Sequence, residues 1–486
     1  MIFLVGSKID QTSIRSSLGK PEYSYYFLMK DFLPLLERLG TVMVVESLSD
    51  VERLTDEYRA TGETVVYFSF SPPQQVPLGL PCPTIVVFAW EFDSLPSVAW
   101  DGHPQNDWRY SFARVCGAIS TSREAAELVE KAMSAGYPVL ACPAPVWNRF
   151  AACSVGNNAP RFDTRSFPFQ GVVIDSPRLG LSADGLVRKP EPHVAPEPLP
   201  ESPSEPAVVP VEVGRLHLAW LTSKALFQGW RQEVFEARRE PVKVAPELSD
   251  SPSLPAEPPQ ALPVSVSGVV YSTVLNPADG RKNWVEIITA FCWAFKEVED
   301  ATLVVKMTHH DLEYYRIVML TLLSRLAPFK CRVVVLHGFL DDEQYRALID
   351  ATSFYVNASA GEGLCLPLME FLSAGKPALA PTHTAMADYM DAQVGFEVAC
   401  ALEPFCWPHD PTGVYMTHRH RLNWESLLNA FRRSHEVACS EPAEYRRLAI
   451  QARERMHQFA SVDSLASTLH GFIKRCLTEA GKGRQP

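Results

Sequence analysis

The sequence predicts an α/β protein built on two doubly wound parallel sheets, and three observations carry that prediction. Short, uniformly apolar runs alternate with helical patterns from residue 1 to about 150, the signature of strands covered on both faces by helices. The alternation stops in a proline-rich stretch and resumes at Ser267. The 486 residues also suffice for two or three cores rather than one.

In the first segment IFLVGS, TVMVVES, TVVYFSF, TIVVFAWEF, CGAISTS and YPVLACPAPV read as strands. Between them, YSYYFLMKDFLPLLERLG ends on Gly40, and SREAAELVEKAMSAG opens with Ser122 as a cap and ends on Gly136. Residues 1–150 are therefore expected to form an N-terminal domain. Residues 151–265 hold RKPEPHVAPEPLPESPSEPAVVP and REPVKVAPELSDSPSLPAEPPQALP. That composition cannot bury enough apolar surface to fold alone, so a linker or insertion is expected there. Within it LHLAWLTSKALFQGWRQEVFEARR has helical spacing and predicts one helix over about 216–239.

From Ser267 SGVVYSTVL, ATLVVKMT, CRVVVLHGF, ATSFYVNAS and KPALAPTH read as strands, separated by helical patterns such as NWVEIITAFCWAFKEV and DEQYRALID. The expected C-terminal domain covers 266–445. The tail over 446–486 reads as helical and is expected to cross back toward the N-terminal domain. Two such domains suit a ligand held in a cleft at the carboxyl ends of their strands.

Composition narrows the function. A formal net charge of -11 argues against nonspecific nucleic-acid binding. The 11 cysteines include no CxxC pair and several lie in apolar runs, so reduced thiols of a cytoplasmic protein are expected, with neither a disulfide framework nor a zinc site. Only the four-residue apolar run IFLV lies between Met1 and Gly6, too short for a signal peptide's core, and no window approaches the roughly 20 apolar residues that span a bilayer. The pair His309-His310, followed by Asp311, does not read as a metal site, because adjacent histidines point different ways and no third ligand has suitable spacing.

The chemistry concentrates in GEGLCLPLMEFLSAGKP, residues 361–377. Pro367 suits a first helical turn, and Gly375 with Lys376-Pro377 marks the stop. The first amides of that helix, with those of Gly363 and Leu364, lack intrahelical partners and can hold an anion such as a diphosphate. Glu362 stands before this anion site and Glu370 about one turn beyond it, within ~12 Å at helical rise. The spacing can grip both ends of a nucleotide-sugar. Arg281 and Lys282 follow the first strand of the second domain at a helix start, where two cations oppose the helix dipole unless an anion is bound there. Lys306 ends ATLVVK, and Glu91 follows the apolar strand of TIVVFAWEF, both where a side chain can face the cleft.

The stretch EGLCLPLME resembles the E-x7-E signature of the retaining glycosyltransferases of family 4 (glycosyl transferases group 1). The flanking NAS, the proline and SAGKP match as well. That family has two Rossmann-like domains in the GT-B arrangement. The resemblance implies that Glu362 contacts the donor sugar, that Glu370 binds the ribose hydroxyls, and that Gly363 and Leu364 bind phosphate. Lys282 before Asn283 matches the family's phosphate-binding lysine. The family's arginine stands earlier, where this chain has Ser272 or Thr273, so Arg281 is a substitute. Relatives often carry glycine at the position of Lys306, which is read as assisting the phosphates. Glu91 is the catalytic candidate of the first domain, and Arg15, Ser16 and Gly19 fall where the family has its glycine-rich loop.

The implied activity is transfer of a sugar, with retention, from a nucleoside-diphosphate sugar to a hydroxyl of a glycan, polysaccharide or lipid-linked saccharide. No metal and no cofactor beyond the co-substrate is implied. The expected place is the cytoplasm, with the inner membrane surface open to a protein acting on lipid-linked acceptors. The same plan also serves nucleotide-sugar epimerases and phosphorylases, and a noncatalytic nucleotide-sugar-binding scaffold is the rival from another class.

Overall fold

The computed structural model describes residues 1–7, 22–153, 159–182, 262–309, 311–407, 410, 413 and 415–481. The predicted helix over 216–239 and residues Arg15, Ser16 and Gly19 lie outside them.

The N-terminal lobe is a six-stranded parallel sheet of β1 (Ile2–Ser7), β2 (Thr41–Val44), β3 (Val65–Phe70), β4 (Thr84–Phe88), β5 (Gly117–Ser120) and β6 (Val139–Ala141), in the order β2-β1-β3-β4-β5-β6. Every residue of β3 and β4 is buried. That explains why these strands read as unbroken apolar runs: helices cover both faces, so no position is left for alternation. On one face α1 (Glu22–Glu37) lays Leu28, Phe32, Leu35 and Leu36 against Phe3, Phe68 and Phe70. The rings of Phe32 and Phe70 meet at 5.5 Å. The other helices are α2 (Leu48–Ala60), the short α3 (Trp108–Phe112), α4 (Arg123–Ala132) and the short α5 (Trp147–Phe150). Ser47 and Ser122 cap α2 and α4 by accepting from the amides of Asp50 and Ala125.

Residues 165–175, read from the sequence as part of the linker, are strands. β7 (Arg165–Phe169) and β8 (Val172–Asp175) follow one another, and β9 (Leu262–Val266) returns antiparallel onto β7. Their apolar runs are short and interrupted by proline and glycine, which hid them. β8 pairs antiparallel with a strand of the second lobe and is pinned there by Arg332, whose guanidinium grips Asp175 at 2.9 and 3.0 Å.

The second lobe contains β10 (Val269–Leu275), β11 (Ala301–Met307), β12 (Arg332–His337), β13 (Phe354–Val356), β14 (Ala378–Ala380) and β15 (Gly395–Glu397). With β8 they form a seven-stranded sheet ordered β15-β14-β13-β10-β11-β12-β8, parallel except for β8. The connecting helices are α6 (Trp284–Ala294), α7 (Leu312–Leu326), α8 (Asp342–Ala351) and α9 (Leu366–Ser373). The chain runs outward from β10 through β11 to β12, then crosses to the other side through β13, β14 and β15. The strand order therefore reverses between β10 and β13. This is the topology of the Rossmann fold, and two such lobes make the GT-B arrangement. A crevice opens at such a reversal, outside the carboxyl ends of the strands, where ligands of these sheets bind.

Two further features join the lobes. The hairpin of β16 (Cys400–Cys406) and β17 (Met416–Leu422) leaves the second lobe, and Trp407 at its end packs on Trp90 and Trp100 of the first at 5.8 and 5.1 Å. Asp93 of the first lobe accepts from the hydroxyl of Thr417 at 2.8 Å and the amide of His418 at 3.1 Å. After α10 (Trp424–Ser440) and α11 (Pro442–Ala460), the last helix, α12 (Val462–Gly481), lies on the first lobe. There Arg475 donates to the carbonyl of Val139, and a Cβ on Gly117 would meet the Cys476 sulfur at 2.5 Å. Among the described residues no helix is long and apolar enough to cross a membrane.

Candidate functional site

The two loops that leave β10 and β13 meet at the reversal point. After β10, Asp279 accepts from the amide of Arg281 at 3.3 Å and closes a short 3-10 turn over residues 280–282. Asn283 then takes a left-handed backbone (φ 48°), and its side-chain amide donates to the carbonyl of Ala358 at 2.8 Å. Asparagine tolerates that conformation better than most residues, and the bond ties one loop to the other. After β13, the Asn357 side chain accepts from the amide of Ser359 at 2.8 Å. Its own amide donates to Glu362 Oε1 at 3.1 Å.

Glu362 is the centre of this junction and only 3% exposed. Lys282 Nζ donates to its Oε1 at 2.6 Å, as does the hydroxyl of Ser359 at 2.6 Å, while Arg281 donates to Oε2 at 3.0 Å. Burial opposes the charge, but Lys282, Arg281 and Ser359 outweigh it and hold the carboxyl well below its ordinary range. Arg281 reaches across the lobes as well: its Nε lies 3.4 Å from Glu91 and 3.1 Å from Asp279, and it also donates to the carbonyl of Gly361. Glu91, Arg281, Lys282 and Glu362 thus form one charged group at the interlobe boundary.

The start of α9 faces the same boundary. Cys365 precedes it with a left-handed backbone (φ 63°), and Pro367 occupies the first turn. Gly363 packs so closely on the first lobe that a Cβ would lie 2.7 Å from the amide nitrogen of Trp90 and 3.0 Å from Ala89 Cβ. A Cβ on Gly361 would lie 3.0 Å from the carbonyl of Glu91. Thr121 donates to the carbonyl of Gly363 and Tyr389 to that of Leu364, at 2.5 and 2.7 Å. The helix start that the sequence placed at an open cleft is here pressed against the first lobe.

Glu370 lies one turn into α9 and is buried. The Tyr345 hydroxyl donates to its Oε2 at 2.5 Å. Burial and the carboxylate of Asp31 on α1 push its pKa up to about 7, against the pull of Tyr345 and Arg149. Arg149 itself bonds to Asp31 at 3.0 Å and Asp342 at 2.7 Å.

Lys306 is not drawn into the charged group. It is buried in β11, where its ammonium donates to the Thr308 hydroxyl at 2.7 Å, and burial brings its pKa down to about 7. His309 accepts from the amide of Asp311 at 2.9 Å, and His310 lies outside the described residues. Side chains of metal-ligand type gather elsewhere, at Asp300, His435 and Cys439.

Sequence reasoning missed His383 and Thr384, which follow β14. The amide of Glu362 donates to the Thr384 hydroxyl at 3.0 Å, and the backbone there is left-handed (φ 51°). The His383 ring stacks on His420 of the hairpin at 3.8 Å with planes 6° apart. Burial, then the second imidazole, pushes its pKa down to about 3. No sequence signal marks a stacking pair separated by a hairpin.

Two surface hollows of about 320 and 650 Å³ contain none of these residues. The first is lined by Cys153 and Arg346 among others, the second by Phe396, Asn423 and Arg433. Charged residues of the second, among them Glu397, Glu425 and Arg433, are exposed, whereas Glu362 is buried and bonded to Arg281 and Lys282.

No protein-family model and no curated protein matches the chain. Several solved structures are similar. HepE from Anabaena, solved with UDP and glucose, aligns over 98% of this chain and 99% of its own, with a TM-score of 0.48 and 11% identity. A glycosyltransferase from Rickettsia africae aligns over 98% of each chain at 0.47 and 8%. Sucrose-phosphate synthase from Thermosynechococcus elongatus aligns over 99% of each at 0.45 and 12%.

Proposed function

We propose that this chain is a glycosyltransferase that moves a sugar from a nucleoside-diphosphate sugar to a hydroxyl acceptor, with retention at the anomeric carbon. One observation carries the reading: two cations, a buried carboxylate and a helix start converge at the reversal point of a doubly wound sheet, with the two acids of the E-x7-E pattern at either end.

In this reading the departing diphosphate lies at the start of α9. Negative charge grows on it as the glycosidic bond breaks, and Lys282, Arg281 and the amides of Gly363 and Leu364 are fixed positive ends that stabilise it without solvent reorganisation. Lys282 and Arg281 supply the positive charge, so the reading is metal-independent. Glu362 keeps both cations in place before the donor arrives. Once phosphate shares them, its carboxylate takes up hydroxyls of the transferred sugar. Glu370 accepts from the ribose hydroxyls. The acceptor hydroxyl, of a glycan or lipid-linked saccharide, approaches from the side of Glu91 and passes its proton to the leaving phosphate oxygen. Because Gly361 and Gly363 sit on the first lobe, the lobes must part to admit the donor and close again to exclude water.

A thermal-shift panel of nucleoside-diphosphate sugars tests the reading, since a ligand bound only by the native state raises the melting temperature. At least one donor should raise it, the shift should vanish in Lys282→Ala, and that donor should support transfer in an acceptor screen. No shift across the panel would sink the proposal. The close packing at Gly363 also suits a noncatalytic binding subunit. A donor shift in the wild-type chain, with no turnover on any acceptor, would select that second reading.

A further inference from the structure

The geometry points to a divalent-cation site of the zinc type formed by Asp300, His435 and Cys439 on the second lobe. His435 and Cys439 stand one turn apart on α10, so their side chains share a face of the helix. Asp300 immediately precedes β11 and comes from 135 residues earlier in the chain, which is why no local spacing announces the trio.

The nitrogen and the carboxylate oxygen stand at the separation that one small ion demands, and the sulfur lies a little farther out. One ligand atom from each residue falls within a group whose members all lie within 4.8 Å of one another. His435 Nε2 is 3.3 Å from Asp300 Oδ1 and 3.8 Å from Cys439 Sγ, and Nδ1 is 3.7 Å from Sγ. In a tetrahedral zinc site the ligand bond lengths give nitrogen-to-oxygen and nitrogen-to-sulfur edges of about 3.3 and about 3.6 Å. The sulfur is almost equidistant from both ring nitrogens, so the exposed Cys439 side chain must turn about its χ1 to meet an ion on the Nε2 side.

The supports are rigid. Val269 donates to the carbonyl of Asp300 at 2.7 Å, and Gly268, with φ of 71°, lies so close that a Cβ would meet that oxygen at 2.1 Å. Only glycine fits there, and it fixes the backbone that carries the carboxylate. On the helix side, the Phe295 ring backs His435 at 5.0 Å between centroids. The electrostatics agree. Cys439 lies in the last turn of α10, where the negative end of the helix dipole favours a cation.

A nitrogen, a thiolate and a single carboxylate suit zinc and its first-row neighbours and do not suit calcium or magnesium, which take several oxygens. The Asp300 side chain is 55% exposed and Cys439 is exposed, so a fourth position faces water. Such an ion staples the end of α10 to the start of β11.

Cobalt(II) titration of the chelator-treated full-length chain tests this. We expect one equivalent to produce the near-ultraviolet thiolate-to-cobalt band, zinc to displace it, and zinc to raise the melting temperature. Cys439→Ser should abolish the band and the zinc shift, and His435→Ala and Asp300→Asn should each weaken zinc binding at least tenfold. Cys406, the other exposed cysteine, is the control, and Cys406→Ser should retain the band. The inference is overturned if wild type gives no band, if the band survives Cys439→Ser, or if it is lost only in Cys406→Ser.

Discussion

Replacing Glu362 with glutamine keeps the shape of the side chain and removes its charge. In the native protein that carboxylate is 3% exposed and accepts from Lys282, Arg281, Ser359 and Asn357. Two of the four bonds come from cations that are themselves largely buried, with side chains 18% and 28% exposed. Removing one partner of a buried ion pair costs about 3–5 kcal/mol, chiefly because the charges left behind lose their compensation. We expect Glu362→Gln to melt several degrees below wild type. The cost should largely disappear in the double variant Glu362→Gln with Lys282→Met, where one stranded charge is removed as well. A double-mutant cycle by thermal denaturation measures this, with a coupling of about 2 kcal/mol or more expected between the two sites. The proposed chemistry adds a second readout. Glu362→Gln frees both cations, so it should bind a nucleoside diphosphate at least as tightly as wild type while turnover falls by about a hundredfold or more. If Glu362→Gln is as stable as wild type, or if the two substitutions simply add, the charged junction is not the organising feature described above.

Three other outcomes follow from particular residues. Glu370 has its pKa raised to about 7 from 4.5, so the folded state holds the proton where the unfolded chain has lost it, and this group's contribution to stability declines as pH rises from about 4.5 to about 7. Glu370→Gln should match wild type near pH 4.5 and exceed it by up to about 3 kcal/mol at pH 8, which melting curves across that range will show. The sign is opposite for His383, whose pKa is lowered to about 3 from 6.5: the unfolded chain takes the proton first and stability falls with pH. His383→Phe should remove roughly 2 kcal/mol of the loss between pH 6.5 and pH 5. A Gly363→Ala methyl would collide with the backbone at Trp90 and Ala89, so small-angle scattering should report a larger radius of gyration as the lobes are pushed apart. An unchanged radius would show that the contact yields locally.

The sequence carried the second lobe well because its strands are buried on both faces and its motif is continuous. Glu362, Gly363, Leu364 and Glu370 fall within nine residues, so their joint placement depends only on one helix start. Lys282 and Arg281 needed just one further fact, that β10 and β13 are neighbours in the sheet. What lay beyond reach was pairing at a distance. Neither the Arg281 to Glu91 contact across the lobes nor the stacking of His383 on His420 has a local signature. The hairpin went unread because β16 and β17 are partly exposed and alternate irregularly. Lys306 was placed correctly on its strand, yet which partner its ammonium meets is decided by Thr308 beyond the strand end, which the sequence does not single out.

The pairing of β9 with β7 has a consequence for how this protein can change over time. Phe169 stands opposite Leu262, so the ribbon joins two stretches separated by 92 residues, of which β8 is held in the sheet of the second lobe. The entropic penalty of tethering such a detour grows only as the logarithm of its length, about 0.6 kcal/mol for each doubling. A change in the length of chain between β8 and β9 is therefore expected to cost little so long as the ribbon that brackets it keeps its register.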